Sequence, residues 1–180
     1  VANNQYGLAT GFSAADGRAL HITNVASSEV APNEYTLTGA SNAVAITRVI
    51  NTTGYKNIKV TFDYACEGEL FGGDIYDYGA LLYTVSTQTT NLNYVTDNNN
   101  EVIQFQGQPN KTNVTINLPA DVENRTNFWL AFNWVNDGSE GSNPPFIIDN
   151  IVVTGEVLGV ESVINQSVFR CRIGIKPICN

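Results

Sequence analysis

The chain has 180 residues, 43% of them hydrophobic and only 14% charged, with a formal net charge of −8. That size and balance suit one globular domain that buries its own core without staples. All seventeen acids but only six of the nine basic residues lie in residues 1–169, because Arg170, Arg172 and Lys176 sit in the last eleven positions. A body this acidic repels phosphate backbones, which argues against nucleic acid as a partner and for divalent cations.

The chain opens Val1-Ala2-Asn3, without a charged-then-apolar leader; for an exported protein this implies that the signal peptide has been removed. No apolar run approaches the ~18 residues that span a bilayer. Short strand candidates come first, at residues 19–23, 35–38 and 43–50. Residues 56–66 then alternate with period two: Ile58, Val60, Phe62 and Tyr64 share one face, Lys59, Thr61 and Asp63 the other. Residues 79–85 and 101–106 are further short candidates. Residues 112–118 place Val114, Ile116 and Leu118 inward, and residues 128–135 do the same with Phe128, Leu130, Phe132 and Trp134. Residues 145–154 close the series.

Turn signals separate these runs: Asp16-Gly17, Thr53-Gly54, Gly72-Gly73, residues 97–100, Gln108-Pro109-Asn110 and residues 137–145. Nine or ten short strands without a helical period predict an all-β, two-sheet antiparallel sandwich of jelly-roll type. Phe62, Tyr64, Leu130, Phe132 and Ile148 are the expected core. Gly155 marks the expected end of the domain, 1–155. Residues 156–180 read as a linker and a tail of different composition, mobile or held by something outside the domain. Cys66 falls in a strand, and Cys171 and Cys179 fall in the tail, where their spacing permits a bridge without requiring one.

Several groups could carry chemistry. Asp63, Glu67, Glu69, Asp74 and Asp77 crowd one short stretch with Gly68, Gly72 and Gly73. Hard cations such as Ca²⁺ take six to eight oxygens from such groups; a solvated acidic loop is the competing reading. Tyr76, Tyr78 and Trp129, with Asp137 as a polar tip, are candidates for a sugar platform, since aromatic faces stack on pyranose rings. Trp134 shares a face with Leu130 and Phe132 and reads as core. Asp149 interrupts an apolar strand, where an unpaired carboxylate is costly; a solvent-facing position at a bulge is its alternative. The single His21 lies in a strand with no nucleophile signature near it, and no zinc cluster or phosphate loop occurs.

Two segments resemble one family. FDYACEGELFGGDIYDYGALLYTVST (residues 62–87) and NFWLAFNWVNDGSEGSNPPFIIDNIVVTG (residues 127–155) are similar to the opening and closing motifs of MAM-like, concanavalin-type jelly rolls. These are known as choice-of-anchor or cleaved-adhesin domains of Bacteroidetes surface proteins. VLGVESVINQSVF (residues 157–169) resembles the linker that opens a type IX secretion sorting domain, but the chain continues Arg170-Cys171-Arg172-Ile173, where such domains have Tyr-Pro-Asn-Pro. The resemblance implies a structural Ca²⁺ with Asp149 as its first candidate ligand and Asp16 or nearby backbone carbonyls as companions. It implies a secreted or cell-surface adhesion or carbohydrate-binding module, not an enzyme, whose ligand is a glycan or a surface protein. The alternatives are a self-associating structural subunit and, last, a glycan-active hydrolase.

Overall fold

The computed structural model describes residues 2–5, 19–22, 34–89, 91, 95–96, 100–159, 169–172 and 175–178. They form twelve strands: β1 Ala2–Gln5, β2 Ala19–Ile22, β3 Ser41–Thr47, β4 Tyr55–Cys66, β5 Glu69–Phe71, β6 Asp74–Thr84, β7 Glu101–Phe105, β8 Gln108–Asn117, β9 Trp129–Asn136, β10 Phe146–Val157, β11 Phe169–Arg172 and β12 Ile175–Ile178. One short 3₁₀ turn, Ala120–Val122, precedes β9.

Two antiparallel sheets pack face to face. The first runs β1-β2-β10-β4-β8, with β11 also paired to β10; the second runs β12-β3-β9-β6-β5, with β7 also paired to β6. Most connections, from β2 to β3 through to β9 to β10, carry the chain from one sheet to the other, the alternation of a jelly roll.

The long strands form where the side-chain period is two. In β4, Ile58, Val60 and Phe62 are buried while Asn57 and Lys59 are exposed. In β9, Leu130, Phe132 and Trp134 enter the inter-sheet core, but Ala131 and Asn133 on the opposite face are buried as well. That outer face carries a second apolar cluster, of Val44, Ile46, Ala80, Leu82, Val95 and Ala131. Aromatic edges lock the centre: Phe62 lies 5.2 Å from Phe132 and 5.7 Å from Phe105, within the range where edge-to-face pairs attract. Cys66 is a core thiol. It donates to the Phe105 carbonyl at 3.1 Å and accepts from the Gly79 amide at 3.2 Å, and burial pushes its pKa up.

Four expectations need correction. Residues 35–38 form no strand: 35–36 are irregular and a bend follows at 37–39. Strand β8 begins at Gln108, so the turn read at Gln108-Pro109-Asn110 falls earlier, with Gly107 at φ 67°. Pro109 is tolerated because β8 is an edge strand, hydrogen-bonded to β4 alone. Tyr64 is only partly buried against the core, unlike Phe62, Leu130, Phe132 and Ile148. Finally, the chain beyond 155 supplies strands: β10 runs to Val157, β11 pairs with its residues 152–155, and β12 pairs with residues 44–47 of β3. Composition changed there, but backbone pairing needs only free sheet edges.

Candidate metal centre

The acidic stretch is a hairpin rather than a loop. Gly72 and Gly73 take φ 65° and 99°, the left-handed pair a two-residue hairpin turn requires, and they join β5 to β6 with Leu70 opposite Ile75 and Phe71 opposite Asp74. At its root the chain crosses between sheets. There the Glu67 amide donates to the Pro144 carbonyl at 3.0 Å, and Gly68 exchanges backbone bonds with Ser142 at 3.1 and 3.0 Å. The loop after β9 is thereby stitched to the hairpin base. Gly68 has φ 66°, and a Cβ there would meet the Asp77 carbonyl oxygen at 2.1 Å; only glycine fits.

This stitching converges three carboxylates. Oxygens of Glu69, Asp77 and Asp137 all lie within 4.8 Å of one another. Asp77 is fully buried. Its Oδ2 accepts from the Tyr35 hydroxyl at 2.7 Å, and its Oδ1 accepts from the Asp137 amide at 2.9 Å. Gly141, at φ 124°, leaves room for this contact, since a Cβ would meet the Tyr35 hydroxyl at 2.1 Å and Asp77 Oδ2 at 2.8 Å. The Asp137 carboxylate turns back on its own loop and accepts from the Ser139 amide and hydroxyl. Glu69 Oε2 is buried with no hydrogen-bond partner among the described residues.

The electrostatics follow from crowding. Burial pushes the Asp77 carboxyl above its ordinary value; the Tyr35 hydroxyl and the Asp137 amide pull it back, and the Asp137 charge pushes it up again. Glu69 is raised by desolvation and by the charges of Asp137, Asp77 and Glu140. The Tyr35 hydroxyl is driven up by burial first and then by its bond to Asp77 and that group's charge. Burial is the largest cause of each shift, and neighbouring negative charge adds to it.

The candidates from sequence separate here. Glu69, Asp77 and Asp137 come together. Glu67 lies at the crossing beside them but outside the triad, with its Oε2 also buried and unpartnered among the described residues. Asp74 and Tyr76 are exposed on the hairpin. Tyr78 and Trp129 pack partly buried against the outer cluster of the second sheet. Asp149 belongs to the first sheet, at a bulge in β10 where Asn150 takes φ 55°; its Oδ1 accepts from the Asn150 amide at 2.7 Å. Asp16 and Cys179 lie outside the described residues. Tyr35 was missed, because its partner Asp77 is 42 residues away and no local pattern announces such a contact. No helix among the described residues is long and apolar enough to cross a membrane. No protein-family model matches the chain, and no curated protein matches it.

Proposed function

We propose that this chain is a calcium-stabilised binding module of a secreted or cell-surface protein, serving adhesion or carbohydrate recognition rather than catalysis. The observation that carries the reading is the convergence of Glu69, Asp77 and Asp137 within 4.8 Å. Three carboxylates offer up to six oxygens, close to the complement a hard cation such as Ca²⁺ takes. The two inner acids are raised by burial and mutual repulsion, which a divalent ion relieves. Such an ion ties the hairpin root to the loop after β9, a fixed platform for a ligand-binding tip. The binding-module reading is further supported by His21, which is 1% exposed on β2 and so removed from any substrate. The location at the cell surface rests on the sequence resemblance alone.

The test is a calcium titration followed by calorimetry and by thermal unfolding. At free calcium a hundredfold above the dissociation constant, linkage adds about 2.7 kcal/mol, which for a domain of this size raises the melting midpoint by roughly 5–10 °C. EDTA is expected to reverse the rise. Asp77→Asn is expected to abolish it, and Asp149→Ala to leave it intact. A midpoint indifferent to both calcium and EDTA, with no heat of binding, overturns the reading.

A further inference from the structure

We propose that the tip of the β5–β6 hairpin is a docking surface for a protein partner whose groove is apolar and rimmed by Lys or Arg. The inference goes beyond the cation reading and does not rest on it. Four large apolar side chains crowd the tip in the open: Phe71 is 72% exposed, Leu70 56%, Tyr76 38% and Ile75 37%. Leu70 and Ile75 are direct cross-strand partners, whereas Phe71 and Tyr76 fall on the opposite side by strand alternation. Both faces of the hairpin therefore present large apolar side chains, with Asp74 beside Phe71 on one of them, which is the shape of something inserted rather than something covered. Nothing lies within 4 Å of a Cβ built at Gly72 or Gly73, so the tip stands clear of the body.

Charge selects the occupant. No Lys or Arg occurs between Lys59 and Lys111, or between Arg125 and Arg170. The hairpin and the loop stitched to it thus carry Glu67, Glu69, Asp74, Asp77, Asp137 and Glu140 with no positive residue of their own. An apolar tip in an acidic collar complements an apolar groove with a basic rim. The same collar opposes an anionic lipid surface, and it opposes a second copy of the tip, which brings the same carboxylates face to face.

The experiment measures, in EDTA, binding of the full chain to two probes of equal charge: a synthetic peptide alternating Lys with Leu, and polylysine. The Lys–Leu peptide is expected to bind at least about tenfold tighter. Phe71→Ser and Leu70→Ser are each expected to cut that affinity by about tenfold, the equivalent of ~1.4 kcal/mol, without moving the melting midpoint. Val49→Ser, at a residue 57% exposed toward the opposite end of the second sheet, is expected to change nothing. Equal affinity for the two probes, or an unchanged affinity in both hairpin variants, overturns the proposal. So does preferential partition of the protein into phosphatidylcholine vesicles, which assigns the tip to membranes. A concentration-dependent dimer that Phe71→Ser dissolves overturns it in favour of self-association.

Discussion

Two carboxylates of this sandwich, Asp63 and Asp77, meet opposite fates. Asp63 lies on β4 on the outer face of the first sheet, where Lys111 Nζ approaches its Oδ2 at 3.0 Å. The amides of Asn113 and Asn150 donate to the same carboxylate at 2.7 and 2.8 Å. Burial alone raises its pKa, but these three donors and the Lys111 charge more than offset it, and Asp63 is held below its ordinary value. Among the described residues, Asp77 receives a tyrosine hydroxyl and one amide and has two further acids for neighbours. Among the described residues, a lysine serves the first acid and no cation approaches the second. On the proposed reading, the first carboxylate is structural and the second belongs to a site for a cation.

The sharpest way to break the contrast is steric. Gly68→Ala drives a Cβ into the Asp77 backbone carbonyl at 2.1 Å, and a carbonyl fixed in a strand has no rotamer to escape by. The expected cost is about 3 kcal/mol, the top of the usual overpacking range, together with loss of calcium binding. Gly72→Ala shares the positive φ but meets nothing within 4 Å, so about 1–2 kcal/mol is expected from backbone strain alone, with calcium binding retained. Denaturant unfolding of both variants checks the pair; equal losses refute the clash.

Next in size is the completed acid. Asp63→Asn removes the charge that Lys111 and two amides are arranged around, and should cost roughly 1–2 kcal/mol, typical of a charge-assisted hydrogen-bond set at a partly exposed site. Calcium affinity should not change. Asp77→Asn should do the reverse: in EDTA its stability stays within about 1 kcal/mol of the parent, because the lost charge was a repelled one, while the calcium response disappears. A shared phenotype for the two variants denies the distinction between them.

The sheets were legible in the sequence because alternation is a direct imprint of one-sided burial, and β4, β9 and β10 carry it plainly in Phe62, Phe132 and Ile148. The acids of the site were legible as residue types but not as a constellation. Gly72-Gly73 announced a turn, and alternation over residues 56–66 set Asp63 on the polar face of a strand, but the acids from Asp63 to Asp77 still read as one acidic stretch. Asp77 meets Asp137 across a strand crossing stitched by the Glu67–Pro144 and Gly68–Ser142 backbone bonds, which join segments some seventy-five residues apart in sequence. Asp149 stood out as a charge in an apolar run, and the bulge at Asn150 is what accommodates it. Register shifts and contacts spanning tens of residues leave no period to read.

The smallest expected effect is also the most specific, because its sign differs between the two acids. A group whose folded pKa is lowered contributes stability above its unfolded value and loses it as the pH falls through the folded value; for Asp63 that loss begins as the pH falls into the ordinary carboxylate range, near pH ~4. A group whose folded pKa is raised binds more protons when folded, so its folded state gains stability as the pH falls toward that range. Glu69 and Asp77 are both raised. Between pH 7 and about 5, then, the metal-free protein should show a slight upward drift in melting midpoint that Asp63 does not contribute to and that Asp77→Asn reduces. In saturating calcium the drift should invert, because the ion needs the carboxylates ionised and competes with protons for them. Thermal scans at half-unit pH steps, with EDTA and with calcium, decide it. If the two curves run parallel, protons and calcium do not share a site, and the cluster at the hairpin root is not where the ion binds.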